Sequence, residues 1–179
     1  MNKINIMKTI LFDIDGTLAD LNGRENFLKQ EKPDWKKFNA KIEEDVPNTP
    51  VVELYRTLYE SGKFEIILVS GRQERFRKVT ETWLAWHEIP FGELLMRADN
   101  DQRPDSEVKQ DILNSLKAQG KKILFTVDDR QSVVERKNGF PFHRRQIHCF
   151  RKNNHLTRRT PFYFGQQIDK SIPQLHMPM

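Results

Sequence analysis

Short apolar runs that each stop on a hydroxyl or a carboxylate constrain this chain more than any other feature. Thr9-Ile10-Leu11-Phe12 stops at Asp13, Phe64-Glu65-Ile66-Ile67-Leu68-Val69 at Ser70, and Lys122-Ile123-Leu124-Phe125-Thr126-Val127 at Asp128. Runs of this length, rich in Ile, Val and Phe and bounded by polar residues, read as buried strands. Gln146-Ile147-His148-Cys149-Phe150 is a weaker fourth, and Leu94-Leu95-Met96 a short edge or inner strand. Amphipathic stretches lie between them. Thr49 caps one, with Pro50 at its first position. Val51, Leu54, Tyr55, Leu58 and Tyr59 recur at helical spacing before Gly62. Phe76, Val79, Trp83 and Trp86 mark a second, with both tryptophans expected in the core. Ser106 caps a third, whose Val108, Ile112, Leu113 and Leu116 form one face before Gly120. A short fourth fits Gln131 to Asn138.

Strands alternating with helices imply an α/β fold: a Rossmann-like parallel sheet with helices on both faces. Such sheets place their ligand site beyond the carboxyl ends of the strands, and Asp13, Ser70 and Asp128 stand at those ends. The segment from Gly16 to Asn48 does not fit the alternation. Trp35, Phe38 and Ile42 suggest one short amphipathic helix there, a small helical cap inserted at about residues 16–48.

Composition supports one domain. A length of 179 residues, 37% hydrophobic and 31% charged, suits a single core. No apolar run approaches the roughly 18 residues a membrane span requires, and Met1 to Met7 lack the apolar stretch of a secretory signal. The single cysteine, Cys149, excludes an intrachain disulfide and a cysteine-based zinc cluster. The expectation is a cytoplasmic protein without membrane partners. From Phe140 onward there are seven Lys and Arg against one acid. The whole net charge of +5 therefore lies there, and the first 139 residues carry −1. The expected organisation is a domain over residues 1–150 and a basic C-terminal extension over 151–179. Such an extension is either a solubilising tail or a surface for an anionic partner, nucleic acid first.

The residues at the strand ends define a chemistry. In Phe12-Asp13-Ile14-Asp15-Gly16-Thr17-Leu18 the strand delivers Asp13 at its tip and the turn brings Asp15 to the same cleft. A carboxylate can attack a phosphoryl group and split one hydrolysis into two easier steps. The second carboxyl can donate a proton to the leaving oxygen and later accept one from water. A magnesium ion would offset the combined negative charge.

Asp13-Ile14-Asp15-Gly16-Thr17-Leu18 resembles the first motif of the haloacid dehalogenase superfamily of phosphatases. Val69-Ser70-Gly71-Arg72, Lys109 at a helix start and Val127-Asp128-Asp129-Arg130 resemble the remaining motifs, in order, over residues 9 to about 150. The resemblance implies Asp13 as nucleophile and Asp15 as its proton partner. Ser70 and the Gly71 amide would bind phosphoryl oxygens, and Lys109 would face the nucleophile. It also implies Mg2+ on Asp13, Asp128 and the backbone carbonyl of Asp15, with Asp129 supporting the metal or orienting Lys109. Arg24, Arg72, and Asp105 four residues before Lys109 resemble the phosphatase half of phage-type polynucleotide kinase-phosphatases, which removes 3′-phosphates from nucleic acid ends in repair. That implies substrate-binding roles for Arg24 and Arg72 and a supporting carboxylate at Asp105. No G-x-x-x-x-G-K-[ST] occurs, so ATP is not expected.

The substrate is less constrained. A small cap leaves the cleft open to large substrates, which favours a phosphorylated nucleic acid end over a small phosphomonoester. Arg144, Arg145, Arg151, Lys152, Arg158 and Arg159, interleaved with Phe150, Phe162, Tyr163 and Phe164, would track phosphates and stack bases. Alternatively, the aromatics pack on the sheet edge and the basic residues face water. His143, His148, His155 and His176 lack metal-ligand spacing. A third reading, a nucleic-acid-binding module with a vestigial phosphatase site, is disfavoured by the intact set of Asp13, Asp15, Ser70, Lys109 and Asp128.

Overall fold

Strand β1 (Lys8–Phe12) lies inside a six-stranded sheet of order β5-β4-β1-β6-β8-β7. Its partners are β4 (Phe64–Gln73), β5 (Glu93–Arg97), β6 (Lys122–Asp128), β7 (Gln146–His148) and β8 (Pro161–Gln166). This computed structural model describes residues 7–129, 146–148 and 161–166. The fourth helix expected over Gln131–Asn138 and the basic residues Arg144, Arg145, Arg151, Lys152, Arg158 and Arg159 lie outside them, as do Cys149, Phe150, His143, His155 and His176.

The two-residue period of the strands sorts side chains onto two cores. Ile10, Phe12, Ile66 and Leu68 join Tyr55, Trp83 and Leu84 on one face. Those three come from α2 (Thr49–Glu60) and α3 (Arg77–Trp86). Leu11, Ile67 and Val69 join Leu113 and Leu116 of α4 (Asp105–Ala118) on the other. Each such side chain contributes about 1.5–3 kcal/mol on leaving water. With both faces covered, β1 and β4 read as unbroken apolar runs rather than alternating ones.

The sheet is mixed, not wholly parallel. β5, β4, β1 and β6 run parallel, whereas β8 pairs antiparallel with β6 and β7 antiparallel with β8. β8 belongs to the stretch expected as an extension outside the domain, yet Phe125 to Asp128 of β6 pair with Gln166 to Tyr163. Phe162, Tyr163 and Phe164 are therefore sheet residues in backbone terms. β5 and β7 are the edge strands. The connections from β1 lead first to β4 and β5 on one side and then, through α4, to β6 on the other, so a topological switch point opens beside Asp13.

Three local expectations change. The second helix starts at Thr49 with Asn48 as its cap residue, and the Asn48 side-chain amide donates to the Thr17 carbonyl at 2.9 Å. α4 starts at Asp105 after Pro104, so Ser106 lies within its first turn. Trp86 is 75% exposed, whereas Trp83 is buried. Three residues turn a helix by about 300°, and that 60° offset carries Trp86 past the rim of the buried face.

The insertion holds more than one helix. β2 (Ala19–Asp20) and β3 (Val46–Pro47) pair antiparallel at its base. Between them come a 3₁₀ turn (Arg24–Phe27), helix α1 (Trp35–Ala40) and a second 3₁₀ turn (Ile42–Glu44). Asp34 caps α1 by accepting from the Lys37 amide at 2.9 Å. Phe38 and Ile42 are buried, but Trp35 is 58% exposed. Among the described residues no helix is long and apolar enough to cross a membrane.

Candidate active site

Two tight devices present the acids of the first motif. Ile14 is fully buried between Asp13 and Asp15 and anchors the turn from below. The Thr17 and Ala19 amides donate to the Ile14 carbonyl at 3.1 and 2.8 Å, and the Gly16 amide donates to the Ala19 carbonyl at 2.8 Å. Gly16 has φ +85°, and a Cβ there would strike the Asp129 carboxylate. The second device is a bulge. Ser70 pairs with Met96 and Gln73 with Arg97, leaving Gly71 and Arg72 unpaired as β4 continues three residues past Ser70. The bulge turns Arg72 toward Asp15.

Lys109, buried in the first turns of α4, gathers the floor of the site. Its ammonium donates to Asp13 Oδ1 and Asp128 Oδ2, both at 2.7 Å, and lies 3.2 Å from Asp105 Oδ2. Asp13, Lys109 and Asp128 are all buried, and the Asp13 amide donates to the Val127 carbonyl at 2.9 Å. Thr17 Oγ1 donates to Asp13 Oδ2 at 3.4 Å and accepts from the Asp129 amide at 3.1 Å. Asp13, Asp128 and Asp129 each bring a carboxylate oxygen within 4.8 Å of the others. An all-oxygen carboxylate donor set is the kind a hard divalent cation such as Mg2+ takes, so these residues fit the ion.

The wall is made by arginines. Arg72 donates to both oxygens of Asp15, from Nε at 2.9 Å and Nη2 at 2.8 Å, and Arg24 donates to Asp15 Oδ1 from the other side. Behind them sits Asp45, 2% exposed. It accepts from Arg24 Nε at 2.5 Å and Nη2 at 2.7 Å, and from Arg72 Nη2 at 3.0 Å. Arg72 Nη1 reaches Thr80 Oγ1 at 3.2 Å, and the Trp83 indole donates to the Asp45 carbonyl at 2.8 Å. Burial disfavours the Arg24 charge, but Asp45 and Asp15 outweigh it and hold the guanidinium above its usual range. Both arginines were expected at the substrate. In the structure their forks are filled by Asp15 and Asp45.

The other expected residues lie along the same end of the sheet. Ser70 is fully buried, and its Oγ accepts from the Arg72 amide at 3.1 Å. Asp105 covers Gly71 so closely that a Cβ at Gly71 would strike its carboxylate. Arg97 fixes that pair, donating to the Gly71 carbonyl at 2.8 Å and to Asp105 Oδ1 at 3.2 Å. The residues expected at the site on sequence grounds thus lie at the carboxyl ends of β1, β4 and β6, at the start of α4 (Asp105 and Lys109) or in the cap (Arg24). Asp45, Arg97, Thr17 and Thr80 were not anticipated.

A family description, the polynucleotide kinase PNKP phosphatase domain, matches residues 7–151, most of the chain. The chain belongs to that family. It is therefore a phosphatase domain of the haloacid dehalogenase type. Solved structures agree. A chain in "Structure of the Pnkp1/Rnl/Hen1 RNA repair complex" is 30% identical, with 75% of this domain covered and a TM-score of 0.62. A chain in "Structure of Pnkp1/Rnl/Hen1 complex" is 32% identical, with 74% covered and a TM-score of 0.61. This phosphatase domain spans 40% and 42% of those chains. Asp45 carries no local motif that would have marked it. Arg97 carries a faint one, since it closes β5 eight residues before Asp105.

Proposed function

We propose that this domain hydrolyses phosphomonoesters with Mg2+ through a phosphorylated Asp13, and that its substrate is the 3′-phosphate at a polynucleotide end. The observation that carries the chemistry is the single Lys109 ammonium shared by Asp13 and Asp128 at 2.7 Å, with Asp129 alongside. A nucleophile with a counter-charge already in place needs little rearrangement to attack. The substrate reading is supported by the family and by the small cap, which leaves the cleft accessible to a long chain.

Mg2+ would be held by the carboxylates of Asp13 and Asp128 and the backbone carbonyl of Asp15, with Asp129 behind, and would supply positive charge toward the phosphoryl oxygens. An Asp13 oxygen attacks phosphorus as the bond to the ester oxygen breaks, and Asp15 delivers a proton to that oxygen. Water then attacks the phosphorus of the acyl phosphate. Asp15 takes its proton, and Asp13 and inorganic phosphate are released. Ser70 and the Gly71 amide hold phosphoryl oxygens. Arg72, on the cleft wall, orients Asp15 with both Nε and Nη2. Arg24 keeps Asp15 aimed, and Asp105 sets Lys109.

The test is a substrate panel with Mg2+: a 3′-phosphorylated oligonucleotide, a 5′-phosphorylated one, mononucleotides and an aryl phosphate. The expected result is phosphate release fastest from the 3′-phosphorylated oligonucleotide. Release only from mononucleotides and the aryl phosphate would overturn the substrate. No release from anything would overturn the enzyme.

A further inference from the structure

Trp35 is a conspicuous side chain that the phosphatase chemistry leaves unused. It opens α1 and is 58% exposed. An exposed indole offers a flat apolar face with a polar edge on which a planar group can dock. Trp86 is also exposed, but it ends α3 and does not line the cleft. Trp35 does: the cleft that passes over Asp15, Gly71, Asp105 and Asp129 continues to it. The cleft encloses about 1070 Å³. Pockets that take a single small molecule run to roughly 300–1,000 Å³, so there is room for more than the phosphate and one sugar.

The indole is held in place. It meets the Phe38 ring edge-on, with centroids 5.7 Å apart at 81°. Phe38 in turn lies under the Arg24 guanidinium at 4.0 Å, and Arg24 bonds Asp15. The exposed Trp35 ring is thus tied through three contacts to the proposed proton donor. The charges at this end of the cleft suit an anion. Lys36 follows Trp35, and Arg75 lines the same cleft, its guanidinium 5.4 Å over Phe76 and bonded to Gln73. Arg103 is engaged by Asp101 and Asp111, both at 2.7 Å. A fixed aromatic face beside two cations, in one groove with a phosphoryl site, matches an unpaired nucleotide chain.

We propose that Trp35 is a stacking platform for a nucleobase in the last two nucleotides of a single-stranded, phosphate-bearing end, with Lys36 and Arg75 facing its backbone phosphates. The inference rests on the reading of this domain as a phosphatase of nucleic acid ends and adds what it grips beyond the phosphate. It also moves base recognition from the basic C-terminal residues to the cap.

The decisive measurement is a cycle that removes the indole and the bases separately and together. Trp35→Ala and Trp35→Phe are assayed with a 3′-phosphorylated oligonucleotide, and with the same oligonucleotide abasic at its last two positions. Trp35→Ala should lower kcat/KM on the base-bearing oligonucleotide about tenfold, chiefly through KM. Trp35→Phe should retain most of it. Base removal should cost wild type a similar factor, and should cost Trp35→Ala almost nothing further. If the two losses multiply, or if Trp35→Ala falls equally on both oligonucleotides, the indole does not stack on those bases. Should wild type release phosphate from neither, the phosphatase reading has failed. The same cycle is then run as oligonucleotide affinity by fluorescence anisotropy, where a non-multiplying loss upholds the platform and a multiplying or equal loss removes it.

Discussion

Two ion clusters face each other across the cleft, and they differ in charge balance. On the wall, Arg24 and Arg72 meet Asp15 and Asp45, two cations to two carboxylates. On the floor, Lys109 meets Asp13, Asp105 and Asp128, with Asp129 close by, and Arg97 adds a second cation on Asp105. Among the described residues, two cations there face four carboxylates. Burying charge is costly unless partners compensate it. The wall is compensated within itself, so it works as scaffold for Asp15 and the cap. The floor is short of positive charge where phosphorus chemistry would need a metal ion. The proposed metal ion would offset that imbalance, whereas the wall needs no ligand to balance its charges.

The largest effects should come from the floor. Asp13→Asn is expected to lower phosphate release by about 10³-fold or more, while leaving thermal unfolding near or above wild type, since it removes one of the crowded negative charges. Residual activity near wild type would refute the nucleophile. Metal gives a parallel readout. Chelation should abolish turnover, and added Mg2+ should raise wild-type Tm by mass action. That rise should shrink in Asp128→Asn. A Tm indifferent to Mg2+ would mean the floor does not take the ion, and the contrast with the wall would fail.

Next in size is the wall. Asp45→Asn leaves two buried guanidiniums short of a counter-charge. Breaking a buried pair in this way costs about 3–5 kcal/mol, which is about 10 °C in Tm for a domain of this size. Turnover should fall as well, by a smaller factor than for Asp13→Asn, because Asp45 acts only through Arg24 and Arg72. Arg72→Lys keeps the charge but loses the fork that spans both oxygens of Asp15, so it should lower kcat while sparing much of the stability. If Asp45→Asn melts like wild type, the wall is not the scaffold that its geometry suggests.

Apart from Arg97 the floor was legible in the sequence, and so were Asp15, Arg24 and Arg72 of the wall, but Asp45, which binds the two arginines together, was not, for a physical reason. Asp13, Ser70 and Asp128 follow apolar strands, and a parallel sheet must bring such strand ends together. Lys109 follows from the helix that leads into β6. Asp45 belongs to an irregular insertion whose path is set by tertiary packing, including the Trp83 indole on its carbonyl, and no local pattern encodes that contact. The antiparallel β8 was missed for a related reason. Pro161 to Gln166 comes well after β6 in the sequence, and a strand that adds antiparallel carries no helix-strand alternation to mark it. The bulge at Gly71 and Arg72 likewise depends on register against β5, which the β4 sequence alone does not state.

The smallest effect tests whether environment, rather than residue type, makes the floor special. At the other end of β1, Thr9 Oγ1 donates to Glu65 Oε2 at 2.7 Å and Lys121 pairs with Glu65 Oε1. This too is a lysine with a carboxylate beside a β1 hydroxyl, but the Glu65 and Lys121 side chains are about a third exposed. Partial burial opposes the Glu65 charge, and the bonds from Lys121 and Thr9 outweigh it, so its pKa falls below the ordinary 4.5. A carboxylate depressed in the fold contributes stability that is fully present above the unfolded-state value and fades as pH drops through the folded one. Glu65→Gln should therefore cost less than about 1 kcal/mol at pH 7, as exposed pairs do, and the difference from wild type should close below pH 4.5. Turnover at pH 7 should not change, because Glu65 lies at the amino end of the sheet. A loss comparable with Asp45→Asn would show that ion pairs across this sheet are equivalent, and that charge balance is not what distinguishes the clusters of the cleft.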